Sequence, residues 1–280
     1  MEYVVLNNGV KMPMLGYGVY QVDPAECERC VLDALSVGYR SIDTAQAYRN
    51  EEGVGSAIAK SGVPRQDLFL TTKVWISNGG YERAKASIAD SLRKLRTDYI
   101  DLLLIHQPFN DYYGSYRAMV EAHKAGTLRA IGVSNFYPDR LIDFCKYQEV
   151  IPAVNQVETH PFHQQKTAHG IMKKYGVQHE SWGPFAEGRK DMFTNPVIKA
   201  IGDGHGKSAA QVILRYLIQN DVVAIPKSTH RERMIENISV FDFTLSPEEM
   251  DRMAALDEEA SAFFSHYDPQ VVEMLTSLGR

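Results

Sequence analysis

The sequence predicts an α/β protein: a parallel (β/α)8 barrel of the TIM type, entered through an N-terminal β-hairpin. Three observations predict it. Eight short apolar runs recur along the 280 residues, helix-like segments separate successive runs, and no linker or low-complexity tract interrupts the series. Strict alternation of strand and helix implies a parallel sheet, and eight repeats imply closure rather than an open sheet. The runs also lack clean period-two alternation, as strands buried on both faces do. Residues 1–280 therefore read as one domain, a length such barrels commonly reach.

The hairpin spans Tyr3 to Met14, where YVVL and VKMPM flank the turn signal Asn7-Asn8-Gly9. The barrel strands follow as GYGVY (16–20), YRSID (39–43), LFLTTKVW (68–75) and YIDLLLIH (99–106). They continue as LRAIGVSN (128–135), AVNQVE (153–158), VQHESW (177–182) and VVAIPKS (222–228). A helical stretch runs from Pro24 to Val37. From Tyr81 to Leu95, Ala84, Ile88, Leu92 and Leu95 recur at three- and four-residue spacing, the period of a helix face. Ser208 to Gln219 leads into the last strand. Pro247 to Leu256 is opened by Ser246, with Glu249 at the capping-box spacing.

Composition excludes several function classes. Hydrophobic residues make up 44% and charged residues 23%, enough apolar material to fill a large soluble core. A net charge of −5 gives no basic stripe for nucleic acid. Three cysteines, Cys27, Cys30 and Cys145, cannot pair completely, so a reducing compartment is the default. Cys27 and Cys30 lie within a helix, and no second C-x-x-C or spaced histidine pair completes a zinc site; no metal is expected. The N-terminus has no basic n-region or long apolar run, and no 18-residue apolar run occurs, so the expectation is a cytoplasmic protein off the membrane, read as a monomer. Gly16 and Gly18 give G-x-G, but Gln21 takes the place of the third glycine, so the Rossmann signature is absent.

In such barrels the site sits at the C-terminal ends of the strands. Asp43 ends its run, Lys73 lies near the end of the next, and His106 ends the one after; Tyr48 follows Asp43 by five residues, in the loop or first turn beyond. Singly, each has a plainer use: Asp43 as a helix cap, Tyr48 as a half-buried aromatic, His106 as a satisfied core histidine. Lys73 is harder to dismiss, because a lysine in an apolar strand is costly without a partner, and the neighbouring strand offers Asp43. Together they make coherent chemistry. Hydride arriving at a carbonyl carbon leaves charge on oxygen, which needs a proton. Tyrosine, with a pKa of about 10, is a poor acid at neutral pH, and a cation within about 4–6 Å favours its phenolate. Lys73 can supply that field, Asp43 can hold Lys73, and a neutral His106 can donate a hydrogen bond to the substrate oxygen.

The segment IDTAQAYRNEEGVG (42–55) resembles the first signature of the aldo-keto reductases. TTKVW (71–75), LLLIHQP (102–108), GVSNF (132–136), NQVETHP (155–161) and IPKSTHRERMIENISVFDFTLS (225–246) resemble the rest, in order. The resemblance covers nearly the whole chain. It implies that Tyr48 is the general acid and that Asp43, Lys73 and His106 complete a catalytic tetrad. It implies that Ser134, Asn135 and Gln156 hold the nicotinamide carboxamide and that Trp182 stacks on the ring. Tryptophan there is similar to a bacterial subgroup that includes diketogluconate reductases. Lys227, Ser228 and Arg233 match residues that hold the adenosine 2′-phosphate, and Glu236 and Asn237 those near the adenine. The cofactor expected is NADPH/NADP+. The run PKSTHRER (226–233) supports this from below, since a 2′-phosphate needs cations where NAD is better served by a carboxylate. Arg231 reads as a solvated residue.

The substrate expected is a small-molecule carbonyl. Tyr20, Trp75, Gln107 and Trp182 are expected to wall the pocket; Gln107, where many family members have tryptophan, opens that wall and adds an amide donor and acceptor for a second polar oxygen. The resemblance implies that the pocket is built by the segments Phe109–Gly114 and Ala186–Asn195 and by the stretch after the last matching helix, which includes Phe263 and Phe264; all are short, leaving little surface for a steroid-sized molecule. Dicarbonyls, aryl aldehydes and sugar-derived carbonyls are therefore favoured. Two alternatives stand beside this reading. A cofactor-binding barrel with a docking or signalling role would have slow turnover. A metal-dependent hydrolase could use Asp43 and His106 as ligands, but His160 and His163 lie in the loop after the sixth barrel strand and Lys73 would oppose a cation.

Overall fold

The computed structural model describes residues 1–278. Strands β1 (Tyr3–Val5) and β2 (Lys11–Pro13) pair antiparallel, Tyr3 opposite Pro13. Gly9 turns the chain at φ +85°, a left-handed value that glycine takes without a Cβ clash. The Asn7 and Asn8 amides donate to the carbonyls of Pro152 and Arg129, at the entry ends of two barrel strands. The hairpin thus closes the end of the barrel opposite the strand C-termini, burying Leu6, Met12 and Met14.

Eight parallel strands follow in sequence order: β3 (Tyr17–Gly18), β4 (Ser41–Asp43), β5 (Phe69–Val74), β6 (Ile100–Ile105), β7 (Leu128–Ser134), β8 (Val154–Glu158), β9 (Gln178–Trp182) and β10 (Val223–Ala224). The ends of the sheet meet. Gly16 N donates to Ala224 O (2.9 Å), Ala224 N to Met14 O (3.1 Å) and Gly18 N to Pro226 O (3.2 Å). Every expected strand is present, each shorter than its apolar run and the first and last most of all, because their ends turn into loops at the two barrel mouths.

Helices α1 (Pro24–Ser36), α2 (Glu51–Lys60), α3 (Tyr81–Leu95), α4 (Tyr112–Lys124), α5 (Pro138–Tyr147) and α6 (Lys166–Tyr175) each return the chain to the next strand. Two helices, α7 (Pro196–His205) and α8 (Ala209–Gln219), separate β9 from β10. After β10 come α9 (Arg231–Ile238), α10 (Pro247–Ala254) and α11 (Pro269–Ser277). Capping boxes at Ser208–Gln211 and Ser246–Glu249 start α8 and α10 by satisfying otherwise orphaned amides. On α3, Ser91 rather than Leu92 is fully buried with Ala84, Ile88 and Leu95, since its hydroxyl accepts from Gln46 Nε2 (3.1 Å). Cys27 and Cys30 share the buried face of α1, where burial pushes the Cys27 thiol up to about 12. Such a thiol is a packing group, not a nucleophile. No helix among the described residues is long and apolar enough to cross a membrane.

Candidate active site

At the C-terminal mouth, β4 and β5 lie side by side in parallel register. Lys73 has no exposed surface, so its ammonium must find partners inside. Its Nζ lies 2.5 Å from Asp43 Oδ1, 3.0 Å from the Thr44 carbonyl and 3.4 Å from Tyr48 Oη. Tyr48 is brought over the lysine by a single 3₁₀ turn, Gln46–Tyr48, after which Arg49 adopts a left-handed conformation. Gln46 fixes that turn by accepting from Trp75 N (2.9 Å) and Asn78 Nδ2 (2.8 Å). His106, just past β6, meets the Tyr48 ring edge-on with centroids 5.5 Å apart.

Burial, then the charge of Lys73, holds the His106 imidazole well below its ordinary pKa, so it is neutral. Its Nδ1 is buried with no hydrogen-bond partner among the described residues. Burial pushes the Tyr48 phenol up to about 12, aided by Asp43; Lys73 pulls it down without winning. The expected lysine field is therefore present, but desolvation outweighs it and the phenol is protonated. Lys73 itself is pulled down by burial and raised more strongly by Asp43 and Tyr48, for a net upward shift.

A second cluster adjoins the first. Ser134 Oγ donates to the Gln156 carbonyl (2.8 Å), and Asn135 Nδ2 donates to Ser134 Oγ (3.1 Å), the His106 carbonyl (3.1 Å) and Gln107 Oε1 (3.3 Å). Trp182 Nε1 donates to Asn135 Oδ1 (2.9 Å). The Gln156 amide points inward, its Nε2 lying 2.9 Å from both Asp43 Oδ2 and Glu180 Oε2. Tyr20, 54% exposed, packs on Tyr48 at 5.0 Å, and Trp75 on His106 at 5.0 Å. These two flank the tyrosine–histidine pair, on the side where a pocket wall was expected.

Gln107 differs from the expectation of a free amide on that wall. It is buried, and its Oε1 is taken up by Asn135 and by His266 Nε2 (2.7 Å), leaving only its NH2 for a ligand. The remaining predicted residues form a separate group beyond β10. Lys227 and Arg233 are exposed, as is Arg231, and among the described residues none has a carboxylate within 4.0 Å. Ser228 is buried, its carbonyl accepting from Tyr17 Oη (2.5 Å), while Glu236 is half-buried and Asn237 buried on α9. Among the described residues, no group of three or more His, Cys, Asp or Glu side chains is placed to hold a metal ion.

Sequence reasoning missed Glu180, and it reached the C-terminal segment with Phe263 and Phe264 only through the family resemblance. Glu180 was visible by the logic applied to Lys73, as a charge in a strand buried on both faces. The segment 257–267 carried no periodic signal. It is tied to the barrel by Glu158, which accepts from Ser261 Oγ (2.5 Å), Ala262 N (2.7 Å) and His160 Nε2 (2.9 Å). Its Phe263 packs on Trp182 with centroids 5.3 Å apart, so it forms part of the rim.

Residues 12–258 match the model of the aldo/keto reductase family. The chain belongs to that family. As a family member it is an oxidoreductase. It is 47% identical over 260 residues to a glyoxal reductase of Bacillus subtilis, covering 92% of this chain and 94% of that protein. It is 46% identical over 266 residues to a morphine 6-dehydrogenase of Pseudomonas putida, covering 90% of each. Its fold superposes on the crystal structure of a Bombyx mori aldo-keto reductase in complex with NADP with a TM-score of 0.88, at 31% identity and 94% and 95% coverage.

Proposed function

We propose that the chain reduces small carbonyl compounds to alcohols with NADPH, using Tyr48 as general acid. The observation that carries this reading is the buried lysine. Lys73 is held by Asp43 with its ammonium 3.4 Å from a protonated phenol and beside a neutral imidazole. Tyr48 donates its proton to the carbonyl oxygen as charge develops there. The phenolate it leaves is stabilised by Lys73, an ion fixed in place before the reaction. Asp43 keeps the lysine charged and oriented. Neutral His106 donates a hydrogen bond that orients the same oxygen.

The chain offers fitting groups for NADPH at both ends. Lys227 and Arg233, with no carboxylate partner among the described residues, are cations suited to a 2′-phosphate, which charge-assisted bonds recognise strongly. Ser228 lies beside them, and Glu236 and Asn237 would lie nearest the adenine. Ser134, Asn135 and Gln156 would hold the nicotinamide carboxamide and Trp182 would face its ring. Bound there, NADPH supplies the hydride.

Two relatives of nearly equal identity are named for a two-carbon dicarbonyl and for a polycyclic alkaloid, so their names leave the substrate open. The chain's own rim favours the small one. Tyr20, Trp75 and Phe263 bring aromatic surface close around Tyr48, His106 and Trp182, and a compact substrate is enclosed by it. The test is NADPH absorbance loss with a panel of glyoxal, methylglyoxal, diketones, nitrobenzaldehyde, a sugar-derived aldehyde and a polycyclic ketone. Small dicarbonyls and activated benzaldehydes are expected to lead in kcat/KM. A polycyclic ketone ahead of all of them would overturn the substrate class, and no turnover with any carbonyl would overturn the reductase reading.

A further inference from the structure

Four side chains from four strands fill the barrel beneath Tyr48: Asp43, Lys73, Gln156 and Glu180. None is more than 2% exposed. They carry two carboxyl groups and one ammonium. Lys73 pairs with Asp43, and among the described residues no ion pair joins it to Glu180. Gln156 Nε2 is shared, 2.9 Å from each carboxyl group. Glu180 Oε1 is buried with no hydrogen-bond partner among the described residues. Two ionised carboxylates on one amide donor, with one cation already in contact with the first, leave a buried charge uncompensated. Such a group keeps its proton instead.

We propose that Glu180 is a positioning residue for the reduction: as a neutral carboxylic acid it leaves the field of Lys73 to Asp43 and Tyr48, and its ionisation diverts that field. This rests on the reading of Tyr48 as the acid. Burial first, then the charge of Asp43, pushes Glu180 up to about 8, against the Gln156 hydrogen bond and Lys73. Asp43 and Lys73 are the charged groups that bear on it across the barrel; its neighbours on the flanking strands are Gln156 of β8 and Val223 of β10. An ionised Glu180 adds a second negative charge beside Lys73, and the nascent Tyr48 phenolate loses part of its stabilisation. Reduction then slows as pH rises through the Glu180 titration.

The experiment compares wild type, Glu180→Gln and Glu180→Asp, with methylglyoxal and NADPH, at pH values spanning about 6 to 9.5. Within each protein the quantity read is the ratio of kcat/KM at the acid and alkaline ends, which does not depend on absolute activity. In wild type kcat/KM is expected to fall by at most about tenfold for each unit by which the phenol is raised, since a partly transferred proton feels only part of that change. Glu180→Gln should lose that fall and Glu180→Asp should keep it. An infrared titration reads the proton without turnover. A protonated-carboxyl stretch should be present at neutral pH, vanish in alkali and be missing in Glu180→Gln. Its absence from wild type at neutral pH would overturn the proposal. The band with unchanged pH ratios in Glu180→Gln would overturn the coupling to Tyr48. A protein that shows the band but reduces no carbonyl would sink the reductase reading, and the coupling with it.

Discussion

Tyr48 is subject to opposed influences whose balance matters for catalysis. Burial holds its proton on, and Lys73 makes that proton's departure tolerable at the moment of transfer. Tyr48→Phe keeps the ring that packs between Tyr20 and His106 and removes only the donor. It is expected to bind NADPH as wild type does and to lose about 10²- to 10⁴-fold in kcat. Lys73→Met keeps the bulk and removes the charge, and it should lose activity on the same scale. It also leaves Asp43 buried without its cation, so a stability loss should accompany it where Tyr48→Phe shows none. Near-wild-type kcat in Tyr48→Phe, measured with tight NADPH binding by fluorescence, would show that another group supplies the proton.

At the scale of elements, strand ends and helix starts share the work. Strands β4, β5 and β6 deliver Asp43, Lys73 and His106 to one mouth because parallel register sets adjacent C-terminal ends level. The loop before α9 and the first turn of that helix present the exposed residues Lys227, Arg231 and Arg233 at the other end of the proposed cofactor site. Arg233→Ala should weaken NADPH binding by about 10- to 150-fold, the loss of a charge-assisted hydrogen bond of about 1.5–3 kcal/mol. NADH binding, which offers no 2′-phosphate, should hardly change. Equal losses for both, titrated by fluorescence quenching, would show that Arg233 does not read the phosphate.

Across the whole molecule, the C-terminal segment is latched to the site by His266. Its Nε2 bonds Gln107 Oε1, its ring lies beside the Tyr137 hydroxyl, and Tyr267 Oη donates to Asp139 (2.6 Å). Burial, then the charge of Arg140, holds His266 down to about 4, against Glu158. A histidine depressed in the folded state contributes stability that is present above its ordinary pKa of about 6.5 and lost as pH falls toward 4. The loss is at most on the order of 3 kcal/mol. His266→Gln retains an amide donor for Gln107 without the titration. Melting temperatures of the two proteins should therefore diverge from about pH 6.5 down to pH 4, with wild type falling faster, and the segment after residue 256 should become protease-sensitive first. Parallel melting curves over that range would show that His266 does not titrate in the latch.

The sequence by itself determined the strand order, the hairpin and the convergence of Asp43, Tyr48, Lys73 and His106. These follow from local signals: apolar runs, turn residues, capping boxes, and one lysine too costly to bury without its neighbour. It named Tyr20, Trp75, Gln107 and Trp182 for the substrate wall but not what engages them, because a wall is made by residues far apart in the chain. Gln107 looked like a free amide until His266, 159 residues later, took its carbonyl. The segment around Phe263 was tied to the pocket only by resemblance, with no periodicity to announce its position over Trp182. The surroundings that hold protons on Glu180 and Tyr48 are likewise made only by the fold. A pKa depends on how much water is removed and which charges stand across the barrel, and neither can be counted until the strands close.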